Sequence, residues 1–210
     1  MLKIHHSPGT RGFRVIWVCE ELSVPYEIVP VDFAAEYRAT PEWRALNPVG
    51  KVPVMTDGTM TMFESCAMMQ YVLDRYGGGR LQPAGDDPGY AYYLQWCWFA
   101  EATFARPLGE IVNHRREFAP ELDAVVAEMK SRATACVAAV DTAVSGRSWL
   151  LGDTMSAADL SLCYTMRGYR RMVSETLPAA AQAWFDRVTA LPSYRAAEKA
   201  DAETGERLKG

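Results

Sequence analysis

The sequence predicts an α/β N-terminal half followed by an all-helical C-terminal half. Strand-like and helical segments alternate as β-α-β-α-β-β-α up to residue 79. Beyond a stretch rich in Gly, Pro and Asp at 80–88, the apolar residues recur only at helical spacing. Because strands stop there, we expect two domains, 1–79 and 89–210, joined by a linker at 80–88.

Short apolar runs separated by turn-forming residues define the elements. In the first half, strands are predicted at 2–6, 26–31, 52–55 and 59–63, and helices at 13–22, 34–46 and 66–76. Thr56-Asp57-Gly58 is a good hairpin turn, and Pro41 breaks the second helix. In the second half, helices are predicted at 89–118, 120–144, 157–173 and 178–191, followed by a polar tail.

Composition excludes several classes of function. The 210 residues are 49% hydrophobic, which is enough to bury a substantial core. A net charge of −4 argues against nucleic acid or an anionic membrane as the main partner. The five scattered cysteines form no C-x-x-C pair and fit a reducing cytoplasm, and the sequence shows no membrane span or signal peptide pattern. His5 and His6 lie in a strand-like run, so we interpret them as strand residues rather than metal ligands.

The segment 47–53, followed by the acid and hydroxyl at Glu64 and Ser65, suits the capture of a peptide-like ligand. Pro53 cannot donate to a ladder, so the strand must bend or lie at an edge there. With a cis Val52–Pro53 bond, the Val52 amide and carbonyl turn outward and can pair with an extended ligand. Glu64 can hold an ammonium, while Ser65 and the first helix amides take a carboxylate. From this segment alone, a plain edge strand and capped helix remain equally open.

The first loop places Ser7, Thr10 and Arg11 before a helix N-terminus. These groups can donate hydrogen bonds to a thiolate or carboxylate of a ligand. We expect no His–acid partner beside Ser7 or Thr10, which disfavours a hydrolase triad.

In the second half, Ser156 and Asp159 precede an apolar run and predict a structural N-terminal cap.

The chain resembles the cytosolic glutathione transferase family, as a bacterial-type member, over essentially its whole length. The matching parts are the loop 7–11 leading into 14–22, the segment 47–53, Glu64-Ser65, and the later 156–159. The resemblance implies a thioredoxin-like N-terminal domain with a mixed four-stranded sheet, a helical-bundle C-terminal domain, a homodimer and a role in detoxification.

The resemblance also implies where glutathione binds. Its cysteinyl backbone would pair with Val52 beside a cis Pro53, its γ-glutamyl end with Glu64 and Ser65, and its glycyl carboxylate with Lys51 or Arg38. Arg11 completes the implied binding set. An electrophile pocket between the domains would include Phe13 and the helix that carries Thr103, Phe104 and Arg106.

The residue that activates sulfur departs from the better-known Tyr, Ser or Cys of the family. Alignment on Arg14 favours Thr10, whereas alignment on Arg11 favours Ser7; we prefer Thr10, with Ser7 second. The first loop has no cysteine, which argues against the members that reduce mixed disulfides. Cys66 starts a helix, where redox chemistry is conceivable, but a small packed residue is the preferred interpretation.

We therefore expect an enzyme that activates the glutathione thiol for attack on a small apolar electrophile, with glutathione as co-substrate and neither cofactor nor metal. A glutathione-dependent peroxidase, isomerase or dehalogenase on the same fold remains open, as does a non-catalytic binding protein.

Overall fold

A computed structural model describes residues 1–209 and divides them into two compact units. Unit 1 contains residues 1–80 and the segment from 190 onward, and unit 2 contains residues 81–189. The strands are Leu2–His6 (β1), Tyr26–Pro30 (β2), Val54–Asp57 (β3) and Met60–Phe63 (β4). The helices are Gly12–Leu22 (α1), Ala35–Arg38 (α2), Pro41–Leu46 (α3), Ser65–Tyr76 (α4), Gly89–Trp98 (α5), Ala105–Glu117 (α6), Asp123–Val144 (α7), Ala157–Met172 (α8), Ala179–Thr189 (α9) and Pro192–Arg207 (α10).

The sheet of unit 1 is mixed and four-stranded, in the order β2-β1-β3-β4. β1 pairs parallel with β2 and antiparallel with β3, and β3 forms a hairpin with β4. β3 begins at Val54 rather than at the predicted Val52, because Pro53 has no amide hydrogen to donate to the ladder. The turn places Gly58 at φ +60, a left-handed conformation that glycine adopts without steric cost. These strands confirm the predicted mixed sheet.

The first helix lies at the centre of unit 1. α1 packs against both α4 and α10, and nine of its residues are buried. Its aromatic side chains meet one from α10: the Trp17 and Tyr194 ring centroids are 5.0 Å apart, and Phe13 contacts both rings edge to face. Trp17 Nε1 donates to Ser193 Oγ at 3.1 Å, so the indole is both packed and hydrogen-bonded.

The polar tail expected after residue 191 is the helix α10, and it belongs to unit 1. Thus the structure differs from the predicted all-helical domain 89–210, whose last helix packs on α1 instead. The physical reason is that its buried face is made of Ser193, Tyr194, Ala197 and Thr204, of which only Tyr194 is large. Such a face gives little apolar periodicity in the sequence, although all four residues are buried.

The helix expected at 89–118 is interrupted by a π-helical segment, Phe99–Phe104. Pro107 lacks the amide hydrogen that would bond to the Thr103 carbonyl, so the regular α-helical ladder cannot pass unbroken through this region. Thr165 Oγ1 donates to the Ala100 carbonyl at 3.1 Å and satisfies a backbone acceptor within the segment. The next helix also starts later than predicted, at Asp123 rather than Pro120.

The predicted cap at Ser156 and Asp159 is present as a reciprocal capping box at the start of α8. Asp159 is fully buried and accepts hydrogen bonds from Leu150 N and Trp184 Nε1, both at 2.9 Å. Its other oxygen accepts from the Ser156 amide at 2.9 Å and from the Ser156 hydroxyl at 3.2 Å. Burial raises the pKa of Asp159, while these hydrogen bonds oppose the rise. Asp159 thus ties α8, α9 and the preceding loop together.

Within the described residues, none of the helices combines the length and apolar character needed to cross a bilayer.

Candidate functional site

The loop before the cis proline is organised by one buried amide side chain, that of Asn47. Asn47 is 2% exposed; its Oδ1 accepts from the Val49 amide at 3.0 Å and its Nδ2 donates to the Lys51 carbonyl at 2.8 Å. The Gly50 amide donates to the Asn47 carbonyl at 2.8 Å, and Gly50 has φ +68. A Cβ there would lie 2.8 Å from the Arg38 carbonyl oxygen, so only glycine fits.

On the expectation that the backbone of glutathione pairs with Val52, Asn47→Ala should weaken its binding by roughly tenfold or more, because two side-chain hydrogen bonds worth roughly 1 kcal/mol each no longer hold the carbonyl next to Val52 in place. Asn47→Asp keeps the acceptor for Val49 but places a buried carboxylate oxygen against the Lys51 carbonyl, so it should weaken binding at least as much. Calorimetric titration with glutathione measures both variants. Unchanged affinity in Asn47→Ala would show that the conformation of the loop before Pro53 does not depend on this side chain.

The Val52–Pro53 peptide bond is cis, as the resemblance implies. The Val52 side chain packs inward on a buried cluster of Val31, Trp43 and Val54. Among the described residues, no hydrogen-bond partner contacts the Val52 amide or carbonyl. A partly buried, inward-packed side chain combined with unpaired backbone groups is the arrangement that strand-like pairing with a peptide ligand requires.

The start of α4 carries the predicted acid and hydroxyl. Glu64 precedes the helix at φ +76 and is exposed, whereas Ser65 is 3% exposed. Arg14 of α1 is completely buried and its Nη1 donates to Ser65 Oγ at 3.1 Å. Because Arg14 donates, the hydroxyl hydrogen of Ser65 is left to point at another acceptor. Sequence reasoning used Arg14 only to align the first loop and missed this role, although a lone Arg on an apolar helix face is a usable signal.

The first loop turns tightly around the Ser7 carbonyl. Thr10 donates to that oxygen twice, from its amide at 3.2 Å and from its hydroxyl at 2.6 Å. Ser7 is 4% exposed, whereas Thr10 is only half-buried. Of the two candidate hydroxyl residues, Thr10 is therefore the more accessible.

The expectation that no His–acid partner lies beside Thr10 is wrong. His6 Nδ1 is 3.3 Å from Thr10 Oγ1, and His6 Nε2 is 2.8 Å from Asp201 Oδ1. His6 is the last residue of β1, as the strand interpretation requires, but Asp201 comes from α10, 195 positions later in the sequence. Only the packing of α10 on unit 1 creates this pair, so the local sequence carried no signal for it.

Gly12 is the place where the first loop and the cis-proline loop meet. A Cβ at Gly12 would overlap His6 Nδ1 and lie 3.2 Å from Pro53 Cβ. The structure therefore brings Thr10, His6 and Pro53 to one place, and the Arg14–Ser65 contact links the same helix to the start of α4.

The basic residues predicted to bind the glycyl carboxylate differ in their exposure and in their hydrogen bonds. Arg38 donates to the Phe33 carbonyl at 3.0 Å and to the Gly50 carbonyl at 3.4 Å, and its guanidinium lies 4.4 Å from the Phe33 ring centroid. Lys51 is exposed, and Arg11 is half-buried next to the start of α1. Lys51 is thus the more accessible candidate for a ligand carboxylate.

Two residues expected to line an electrophile pocket are core residues instead. Phe13 is 1% exposed and packs between Trp17 and Tyr194, and Phe104 is fully buried against Tyr169. Apolarity in sequence could not distinguish a core face from a pocket face. In unit 2, Thr103 and Arg106 are exposed, and Arg106 pairs with Glu110 at 2.9 Å.

The cysteines of unit 1 offer one buried and one accessible thiol. Burial raises the pKa of the Cys19 thiol to about 12, so this group stays protonated at neutral pH. Cys66 is half-buried at the second residue of α4. Its redox role stays a prediction.

A mixed β2-β1-β3-β4 sheet with a cis proline before β3, followed in sequence by a helical unit, defines the class: a thioredoxin-like domain with an appended all-α domain. Residues 2–74 match the family profile described as Glutathione S-transferase, N-terminal domain. Glutathione S-transferase 4 of Zea mays is 31% identical over 196 residues, covering 86% of this chain and 83% of the relative. Glutathione S-transferase 3 of Schizosaccharomyces pombe is 27% identical and covers 97% of this chain and 90% of its own length.

Solved structures agree with the sequence relatives. The glutathione transferase URE2P8 from Phanerochaete chrysosporium, crystallised with oxidized glutathione, has a TM-score of 0.89 and 26% identity, covering 98% of this chain and 96% of that one. The present chain belongs to the glutathione S-transferase family, and it is a transferase enzyme.

Proposed function

We propose that this protein binds glutathione along Val52 and activates its thiol with the Thr10 hydroxyl for attack on a small apolar electrophile. The observation that carries the proposal is the meeting of His6 at the end of β1, Pro53 and the start of α1 at Gly12, with Thr10 in contact with His6. A ligand whose backbone pairs with Val52 then has its side chain near the only half-buried hydroxyl group of the first loop, that of Thr10.

The tripeptide has a complementary group for each of its ends. The Val52 amide and carbonyl pair with the cysteinyl backbone beside Pro53. Glu64 and Ser65 bind the γ-glutamyl end, because an exposed carboxylate attracts its ammonium and a hydroxyl at a helix start donates to its carboxylate. Lys51, with Arg38 and Arg11 as further basic candidates, binds the glycyl carboxylate.

The energetic demand on sulfur activation is modest. A thiol with a pKa near 8.5 is mostly protonated at neutral pH, and lowering the pKa by about two units takes roughly 2.7 kcal/mol of preferential thiolate stabilisation. One hydrogen bond to the anion supplies about 1.5–3 kcal/mol, and the N-terminus of α1 adds about 0.3–1 kcal/mol. Thr10 and the N-terminus of α1 together can therefore supply the thiolate stabilisation that this pKa shift requires.

We expect Thr10→Ala to raise the pKa of the bound glutathione thiol by about one to two units and to lower kcat/KM at neutral pH by roughly 10- to 100-fold. Thr10→Ser, which keeps the hydroxyl, should retain most activity. The measurement is the ultraviolet absorbance of the thiolate of bound glutathione as a function of pH.

Ser7→Ala is the matched control, because it removes the other hydroxyl of the same loop. If Ser7→Ala shifts the titration and Thr10→Ala does not, the assignment of Thr10 is wrong. Retention on immobilised glutathione and turnover of an aromatic halide test the function itself. Retention without turnover of several electrophile classes would favour the non-catalytic binding protein, and loss of retention would exclude both.

Five further features belong to the proposal. Glutathione is the co-substrate and no other cofactor takes part. The protein acts in the cytoplasm in a detoxifying role, as a bacterial-type member. It forms a homodimer, for which the exposed aromatic residues of α5, Tyr92 at 61% and Trp98 at 66% exposure, provide support, since large exposed aromatics are typical of interfaces.

A further inference from the structure

His6 is a completely buried histidine with a partner on each ring nitrogen. Nε2 contacts Asp201 Oδ1 at 2.8 Å, and Nδ1 lies 3.3 Å from Thr10 Oγ1. The three side chains form a continuous chain from the carboxylate to the hydroxyl. The proposed function above uses only the last member of this chain.

The carboxylate determines which nitrogen of His6 carries the proton. An ionised Asp201 can only accept hydrogen bonds, so it favours the tautomer in which Nε2 carries the hydrogen. Asp201 is itself oriented by the Gly9 amide, which donates to Oδ1 at 3.0 Å and to Oδ2 at 3.3 Å. In this tautomer Nδ1 is an acceptor 3.3 Å from Thr10 Oγ1, whose own hydrogen is donated to the Ser7 carbonyl in the free protein.

The surroundings of the ring keep this acceptor available. α1 presents only the Cα of Gly12 beside Nδ1, because a Cβ there would overlap the ring; the same Cβ would lie 3.2 Å from Pro53 Cβ, so Pro53 borders the same space. β2 presents Pro30 as the register partner of His6. Of the two side chains that contact the ring nitrogens, Asp201 and Thr10, Asp201 of α10 is the titratable one. Nδ1 therefore lies close to Pro53, beside which glutathione is proposed to bind, while Nε2 on the opposite edge of the ring contacts the Asp201 carboxylate.

We propose that His6 is a positioning residue that takes up the glutathione thiol proton through Thr10, an inference that rests on the proposed role of Thr10 at sulfur. The S–H bond breaks with its electron pair left on sulfur, and the proton forms a new bond to Thr10 Oγ1. The former hydroxyl proton of Thr10, which bonds to the Ser7 carbonyl in the free protein, moves to His6 Nδ1.

The products of this relay are a thiolate, an intact Thr10 hydroxyl whose new hydrogen points at sulfur, and an imidazolium paired with Asp201. Asp201 stays ionised throughout and offsets the imidazolium charge. In an addition reaction, the proton returns along the same path to the product; in a halide substitution, it leaves to solvent with the halide. The 3.3 Å separation of Oγ1 and Nδ1 is within the range that such contacts show before a ligand tightens them.

The test compares His6→Gln and His6→Asn with the wild-type protein in three measurements: glutathione affinity, the pH titration of the bound thiol, and kcat/KM as a function of pH. We expect affinity within about twofold of the wild type, a thiol pKa raised by about one unit, and kcat/KM about tenfold lower near neutral pH. The loss should disappear at a pH where the thiol ionises without assistance. A loss that is equal at every pH, or an unchanged thiol titration, would overturn the proposal and leave His6 a structural residue.

Asp201→Asn provides a second route if the His6 variants fail to fold. The Asp201 side chain is 18% exposed, and the amide keeps its shape while removing the charge that fixes the tautomer. We expect a smaller shift of the thiol titration in the same direction. Glu203→Gln is the matched control, since it makes the same charge change on an exposed position of α10 and should leave the titration unaltered.

The outcomes separate this proposal from the proposed function. If wild-type protein fails to bind glutathione or to lower its thiol pKa, the proposed function fails. If Thr10→Ala raises the thiol pKa while the His6 and Asp201 variants do not, Thr10 acts alone and only the relay is excluded.

Discussion

Replacing Asp159 with Ala should lower the free energy of unfolding by at least about 3 kcal/mol, because three buried N–H groups lose their acceptor at a cost of roughly 1–3 kcal/mol each. The groups are the amides of Leu150 and Ser156 and the indole of Trp184. This exceeds the loss of about 1 kcal/mol expected for a helix cap alone. For a chain of this size, the melting temperature should fall by roughly 6–12 °C.

Two matched variants isolate the buried hydrogen bonds from the cap. Ser156→Ala removes the capping hydroxyl but leaves Asp159 in place, and should cost about 1 kcal/mol. Asp153→Ala removes an exposed carboxylate from the same loop and should change stability by less than about 0.5 kcal/mol. Thermal and urea unfolding measure all three variants. Equal effects of Asp159→Ala and Ser156→Ala would mean that Asp159 is no more than a cap.

The parts of the candidate site that were predictable are those with local sequence signals. A proline such as Pro53 interrupts a strand ladder because it has no amide hydrogen. Asn47 stabilises its turn through side-chain hydrogen bonds to the backbone, and Gly50 adopts the positive φ that the turn requires because it has no side chain. The same holds for the capping box at Ser156, whose partners are three residues apart. Each of these features depends on backbone chemistry within a few residues, so the local sequence is enough to predict it.

The parts that escaped prediction depend on contacts between distant segments. The His6–Asp201 pair spans 195 positions, and nothing local to either residue indicates the other. Phe13 and Phe104 were correctly expected to be apolar and inside helices, but apolarity does not say whether a face meets a core or a ligand. The chemistry of the first loop therefore could not be predicted from the loop alone, because α10 packs beside it in the folded protein and contributes Asp201.

Removing the C-terminal helix α10 should have the second large effect on stability. Ending the chain at Thr189 removes α10 and uncovers one face of Trp17 and Phe13, both at most 1% exposed in the intact protein. It also removes Tyr194, which packs against both rings. Uncovering roughly 300 Å² of apolar surface costs on the order of 7 kcal/mol. That loss is comparable with the whole stability of a typical domain, so unit 1 should not fold cooperatively without α10.

A chain ending at Arg207 keeps all of α10 and is the control for shortening the C-terminus. The point variant Tyr194→Ala keeps the helix but empties the aromatic contact, and should cost about 3 kcal/mol. Near-ultraviolet circular dichroism and thermal unfolding follow the packing of Trp17 in each chain. Cooperative unfolding of the chain ending at Thr189 at the temperature of the intact protein would show that unit 1 is complete without α10.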